Sequence, residues 1–343
     1  MTERTLPPAP RSALVTGASA LVSGATGFLG SRLAAMLVQR GYRVRALARS
    51  TSDLTRLAGL GVEIVVGDVS DRASFERAAA GQRAVFHTAG MVTDWGPAAE
   101  FMKANRGGTA NVIAGCRAAG VARLVYVSSL TVLGLPRDGR LVDEQTPYAA
   151  KPPDPYTQSK IAAEQLVRAA HEQGGLTTTV IRPGVIWGAG DITIVPRIVS
   201  LLRQRRMPYV NGGYNLLGLS HVDNLALGCA LAAESAAAAG RVYHITDGVE
   251  ITLRRTLDAI ADAHRVPRPR SSVPFRAAYA AATMAELAAR ASGRRRPPPL
   301  TRYGVRLVSC HCRYDIGRAQ RELGYAPPIA FADGVAALAV EDA

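Results

Sequence analysis

From Ala13 to about Arg182, short Val-, Leu- and Ile-rich runs alternate with longer stretches whose apolar residues recur every three or four positions. Short near-continuous runs mark strands buried on both faces, and the longer periodic stretches mark helices that cross back over them. Strands are expected over 20–23, 43–48, 63–67, 84–88, 123–128 and 177–182, and helices over 29–40, 71–80, 105–119 and 155–172. This is the pattern of an α/β chain with a doubly wound parallel sheet. After Arg182 the pattern loosens, and Pro and Gly become more frequent. One domain is therefore expected over 12–182 and a smaller α+β domain over 183–343, with segments near 219–225 and 241–245 returning to the first.

The start of the chain holds a tandem repeat of seven residues, Ala13-Leu-Val-Thr-Gly-Ala-Ser19 and then Ala20-Leu-Val-Ser-Gly-Ala-Thr26. Only the second copy is followed by glycines at useful spacing and by an amphipathic helix, so it is read as the first strand and its loop. Gly24, Gly27 and Gly30 form G-x-x-G-x-x-G between strand and helix, where backbone amides can approach a pyrophosphate unobstructed by Cβ atoms. Thr26, Phe28 and Leu29 belong to the same turn. In NAD-specific folds of this kind an acid ends the second strand and holds the ribose 2′-hydroxyl. Here Leu47-Ala-Arg49-Ser50 offers no carboxylate. Arg49 is placed to pair with a 2′-phosphate through its planar fork, which favours NADP(H) over NAD(H), although a chance surface arginine fits the position too. Asp68 and Val69 after the third strand are expected beside the adenine, and Thr88, Ala89 and Gly90 after the fourth are expected to line the cofactor.

Tyr156 and Lys160 stand four apart on a helix opened by Asp154 as N-cap and Pro155 at its first position, so they share a face. A nearby ammonium favours phenolate and brings the tyrosine toward a usable acid–base range. Tyr148 and Lys151 have the wrong spacing and lie in a Pro-rich loop. Ser128 and Ser129 end the fifth strand, at the carboxyl edge where open sheets bind ligands, and Ser129 is the first choice for holding a substrate carbonyl. Asn105, expected to open its helix, is placed to hold a water that relays protons to Lys160.

The net charge of +14 raises nucleic acid or membrane surfaces as partners, but the arginines are spread along the chain among Asp and Glu. Three lysines among 41 Lys and Arg residues point to compositional drift. The one clustered run, Arg294 to Arg296, reads as a solvated loop or as an anionic docking patch. Cys116, Cys229, Cys310 and Cys312 show no framework spacing, which suits a reducing cytoplasm. Cys310-His311-Cys312 lacks a second ligand pair at finger-like spacing, so no metal is expected. The first eleven residues lack the apolar core of a signal peptide, and the apolar stretch 277–291 is too short to span a bilayer.

Taken together, Ser23-Gly-Ala-Thr-Gly-Phe-Leu-Gly30, Gly67-Asp68, Phe86-His-Thr-Ala-Gly90, Asn105-Arg-Gly-Gly-Thr109, Val127-Ser-Ser129, Tyr156 to Lys160, Arg182-Pro-Gly-Val-Ile-Trp-Gly188, His221-Val-Asp-Asn224 and Leu323-Gly-Tyr-Ala-Pro327 resemble the extended short-chain dehydrogenases/reductases. The 182–191 segment, Tyr214-Asn215-Leu216 and Pro299-Leu-Thr-Arg-Tyr303 are similar to the 3β-hydroxysteroid dehydrogenase branch, which includes 2-alkyl-3-oxoalkanoate reductases. The resemblance implies a Rossmann sheet, Tyr156 as proton donor, Lys160 on the ribose, Ser129 on the carbonyl, and Pro183, Gly184 and Val185 beside the nicotinamide. It implies a ketoreductase or secondary-alcohol dehydrogenase acting on an apolar small molecule, as a homodimer paired through Ala-rich helices. Trp95, Tyr214 and Leu216 are candidate pocket residues or simply core. The alternatives are a nucleotide-sugar epimerase or dehydratase of the same fold, against which Leu130-Thr131 stands where dehydratases place an acid pair, and an NADP-sensing protein without turnover.

Overall fold

The computed structural model describes residues 17–293 and 296–340. Most of the first repeat copy, with the expected domain start at residue 12, and Arg294 and Arg295 of the arginine run lie outside the described residues. Seven parallel strands form the main sheet: β1 (Ser19–Ser23), β2 (Arg43–Ala48), β3 (Glu63–Val66), β4 (Ala84–His87), β5 (Arg123–Val127), β6 (Thr177–Pro183) and β7 (Val242–Ile245). Their spatial order is 3-2-1-4-5-6-7. The order reverses between β1 and β4, so a crevice opens there at the carboxyl ends of the strands. This is the doubly wound Rossmann arrangement that the alternating pattern anticipates.

Five helices cover the sheet: α1 (Phe28–Gln39), α2 (Arg72–Ala79), α3 (Gly108–Ala118), α4 (Pro155–Glu172) and α5 (Val222–Glu234). Side chains alternate across a strand, so Ala20, Val22, Phe86 and Val125 meet α1 and α5 on one face. Leu21, Val85, Leu124 and Val180 meet the other three helices on the opposite face. β3 departs from the expectation of burial on both faces. It is the outermost strand, and Val66 is 67% exposed. An apolar run does not say whether it lies at the centre or the edge of a sheet.

The helix expected to open at Asn105 begins earlier, at Ala98, and passes through a π-helical stretch, Met102–Gly107, before continuing as α3. Asn105 thus sits inside a widened turn, a geometry common at functional sites. Beyond β6 the chain forms small two-stranded sheets, among them Val185–Trp187 with Leu219–His221 and Leu216–Leu217 with Ile251–Thr252. A separate core gathers the helices Ile194–Arg203, Leu253–Ala263 and Phe331–Val340. Of the two segments expected to return, Val242–Ile245 joins the main sheet beside β6. Leu219–His221 pairs with Val185–Trp187 instead and runs into α5.

Candidate active site

The glycine loop is built for close approach. Gly24 has φ +76°, and a Cβ there would lie 2.7 Å from the Ala89 nitrogen; a Cβ on Gly30 would lie 2.0 Å from the Gly24 carbonyl oxygen. α1 starts from Gly27 with no side-chain cap, which leaves its first amides for an anion. A pyrophosphate fits this cradle. Thr26 and Phe28 are half-buried beside it, while Leu29 is buried in the core and offers only its backbone. Thr88 Oγ1 donates to the Ser23 carbonyl at 2.8 Å, which seats Ala89 against Gly24, and Gly90 adjoins Asn105.

Arg49 and Ser50 follow β2 and are exposed. The next acid, Asp53, already accepts from the Thr55 amide and hydroxyl at 2.9 and 2.6 Å. Asp68 Oδ1 accepts from the Ser70 amide at 2.8 Å, and Val69 packs beside Gly108. After β6, Gly184 N donates to Ser220 Oγ and Val185 N to the Gly218 carbonyl, so the segment from Pro183 leaves the sheet along a fixed path.

The proton-handling residues share one wall, made by the end of β5 and by α4. Asp154 caps α4 by accepting from the Thr157 amide at 2.7 Å, and Pro155 occupies the first turn, as expected. Tyr156, Lys160 and Ser129 are all buried. Ser129 Oγ accepts from the Thr131 amide at 3.2 Å and from its hydroxyl at 3.0 Å. A hydroxyl has two acceptor sites and one proton, so Ser129 is left to donate. Ser128 is committed elsewhere, donating to Glu164 Oε2 at 2.5 Å.

The tyrosine differs from its expected state. Burial pushes the Tyr156 phenol up to about 12, with the Ser129 hydroxyl pulling the other way. The Lys160 ammonium donates to the Val127 carbonyl at 2.7 Å and stands 4.7 Å from the centre of the Tyr126 ring. Burial holds the Lys160 pKa down at about 8, against the upward pull of Glu164 one turn along. Tyr156 is therefore a protonated donor throughout the neutral range. Asn105 is held by hydrogen bonds on two sides. Its Nδ2 donates to Ser159 Oγ at 2.8 Å and to the Met91 carbonyl, and its Oδ1 accepts from the Met91 amide at 2.7 Å. These bonds tie the loop after β4 to the neighbour of Lys160, and none of them reaches Lys160 itself.

Facing the wall is an aromatic and apolar cap. Phe101 and Tyr303 stand edge-on to Tyr156, with ring centres 6.5 and 5.8 Å away. Asp94 accepts from Thr301 Oγ1 at 2.8 Å and from Arg197 Nη1 at 3.0 Å, while Arg197 Nη2 donates to the Pro299 carbonyl. Trp95 belongs to this cap, under the Arg290 guanidinium. Tyr214 stands apart, 70% exposed beside Arg254, and Leu216 pairs with Thr252. The Cys310 and Cys312 thiols are buried 3.5 Å apart, but His311 turns away and accepts from the Leu216 amide.

Residues 21–254 match the 3-beta hydroxysteroid dehydrogenase/isomerase family. The chain belongs to that family. Two curated relatives are 36% identical. One is the 4-hydroxy-2-methyl-3-oxo-4-farnesyl-3,4-dihydroquinoline-1-oxide ketoreductase of Stigmatella aurantiaca, covering 92% of this chain and 94% of that protein. The other is the 2-alkyl-3-oxoalkanoate reductase of Stenotrophomonas maltophilia, covering 94% and 99%. Among solved structures, the dTDP-glucose 4,6-dehydratase DesIV of Streptomyces venezuelae, solved with NAD bound, superposes with a TM-score of 0.76 at 26% identity over 94% of this chain and 96% of that one. As a member of the 3-beta hydroxysteroid dehydrogenase/isomerase family, the protein is an NAD(P)-dependent oxidoreductase that works at a hydroxyl or keto carbon.

Within this family member, Glu164 and Phe101 escaped the sequence reading, and Thr131 and Tyr303 were noted there only as parts of motifs. Glu164 extends the Tyr156–Lys160 spacing by another four, a signal that was present. Phe101 carries no such signal, since it matters only through what it faces, and the same holds for the roles of Thr131 and Tyr303.

Proposed function

We propose that the protein is an NADP(H)-dependent ketoreductase, equally a secondary-alcohol dehydrogenase, acting on an apolar oxo or hydroxy substrate such as a 3-oxo acid or a steroid-like or polyketide-like ketone. The observation that carries this reading is the buried wall of Ser129, Tyr156 and Lys160 set against the Phe101–Tyr303 cap. A reduced nicotinamide bound along the crevice supplies the hydride. Ser129 holds the carbonyl oxygen, and Tyr156 gives it a proton as negative charge develops there. Lys160, tied to β5, holds a positive charge on the same wall. The cradle of Gly24, Gly27 and Gly30, with Thr88 to Gly90 and Pro183 to Val185, holds the dinucleotide. Arg49 selects the 2′-phosphate, with NAD(H) as the alternative. The part over 12–182, completed by β7 and by Pro183 to Val185, serves the cofactor, and the rest of 183–343 serves the substrate.

Both relatives are named for oxo compounds carrying an alkyl or farnesyl chain, which supports an apolar ketone. The turn after Ser129 supports it too, since Thr131 there binds Ser129 where a dehydratase needs acids. We further propose a homodimer paired through α3 and α4, acting in the cytoplasm, where its four free cysteines stay reduced. No described helix is long and apolar enough to cross a membrane. NADPH oxidation over a panel of 2-alkyl-3-oxo acids and thioesters, steroids and nucleotide sugars tests the reading. Turnover is expected with the ketones, and turnover confined to the sugars would overturn it.

A further inference from the structure

The loop that covers the outer edge of β7 leaves a cavity of about 320 Å³ between itself, α4 and the helix Gly317–Leu323. Its volume matches about ten waters at liquid density, enough for a small metabolite. Four guanidinium-bearing residues line it: Arg168 from α4, Arg182 from β6, Arg241 just before β7, and Arg318. Among the carboxylates against them, Glu144 lines the cavity, Glu164 holds Arg182 from within, Glu172 acts on Arg168, and Asp315 lies close to Glu144. Of these only Glu144 lines the cavity, so its immediate lining carries four guanidinium groups and one carboxylate. Glu144 is in part engaged already, accepting from the His244 amide at 3.0 Å with Arg318 Nε 3.7 Å away.

Arg182 forms the buried side of this cavity, at 2% exposure. Its Nε and Nη2 grip Glu164 at 2.6 to 3.2 Å, and its Nη1 is buried without any hydrogen-bond partner. A buried guanidinium nitrogen without a partner is costly, and it adds positive potential beneath the cavity floor. The side chain stands 5.4 Å from the Tyr148 ring centre, and the Tyr148 hydroxyl donates to Glu164 and accepts from Arg168. Thr146 and Gln145 add further polar groups to the rim. Of these residues only Glu164 touches the Ser129–Tyr156 wall, through Ser128 and Lys160, and none belongs to the glycine cradle.

We propose that this cavity is a second binding site that takes a small oxyanion, a phosphate monoester or a carboxylate, held by Arg168, Arg241 and Arg318 over the buried Arg182–Glu164 pair. Guanidinium forks match both head groups. The proposal is independent of which ketone the enzyme reduces.

Isothermal titration of the full chain with inorganic phosphate, and separately with malonate, tests it. The dinucleotide crevice is kept saturated with NADP⁺ or NAD⁺, whichever binds, and ionic strength is held with chloride. The expected result is saturable binding of one anion per chain that weakens roughly tenfold or more in Arg241→Gln and in Arg168→Gln, the loss of one charge-assisted bond each, with dinucleotide affinity unchanged. Arg241 and Arg168 are exposed, so both variants are expected to fold. The tighter of the two probes identifies the head group. Absence of saturable binding by either probe, or equal binding by wild type and both variants, would overturn the proposal.

Discussion

The wall that carries Ser129, Tyr156 and Lys160 and the cap that faces it are held by different kinds of bond. On the wall, Lys160 is anchored to the backbone carbonyl of Val127 and Ser129 to the backbone amide of Thr131, all of it buried. On the cap, the 91–97 loop and the 297–303 segment are joined by Asp94, Thr301 and Arg197, three side chains of which Arg197 is nearly half exposed. Backbone anchors survive substitution of the residues that supply them, whereas side-chain anchors do not. The wall is thus suited to preserve one chemistry and the cap to change with the substrate.

The sharpest test of that contrast is Tyr156→Phe. Loss of a general acid is expected to lower kcat/KM by about 10²- to 10⁴-fold while dinucleotide affinity, read by fluorescence titration, stays the same. Near-wild-type turnover would mean that the wall does not carry the chemistry.

Lys160 tests whether the wall is as dry as it looks. Its pKa is held at about 8 against 10.5 in the unfolded chain, so between those values the unfolded state binds more protons and the stability contributed by this residue rises with pH. The unfolding free energy of wild type minus that of Lys160→Met is expected to climb by about 3 kcal/mol across that window. A flat difference would show the ammonium to be solvated.

Farther along the crevice, Arg49→Asp is expected to shift the NADPH-to-NADH affinity ratio toward NADH by about 10- to 150-fold, the worth of charge-assisted bonds of about 1.5 to 3 kcal/mol. An unchanged ratio would make Arg49 an ordinary surface residue. The smallest effect belongs to the cap: Arg197→Ala removes an exposed ion pair of about 1 kcal/mol or less, so KM should rise by no more than about fivefold with kcat retained. A loss of kcat comparable to that of Tyr156→Phe would erase the distinction between cap and wall.

The same contrast governs what could be read from sequence. β1 to β6 begin and end within about a residue of their expected bounds because each is a run of local apolar character, and the Asp154-Pro155 start of α4 is written in capping chemistry. Past β6, strands such as Leu216–Leu217 and Ile251–Thr252 are two residues long and exist only through each other, so no periodicity announces them. The π-helical turn that holds Asn105 leaves no mark in the apolar periodicity. Tyr214 looked like a pocket aromatic because its type suits one, yet the fold turns it to solvent.

The seventh strand and α5 also bear on how the protein comes off the ribosome. Val22, Phe86 and Val125 on the sheet are buried in part by Val222, Leu225 and Cys229. Those residues emerge only after the chain has passed through a long stretch belonging to the other core. At about 5–20 residues per second, a nascent chain that has completed β6 carries a half-covered apolar face for several seconds before α5 and β7 arrive to close it. The dinucleotide half is therefore finished late despite being encoded early, and a chaperone that shields that face during the interval is predicted to raise the yield of folded enzyme.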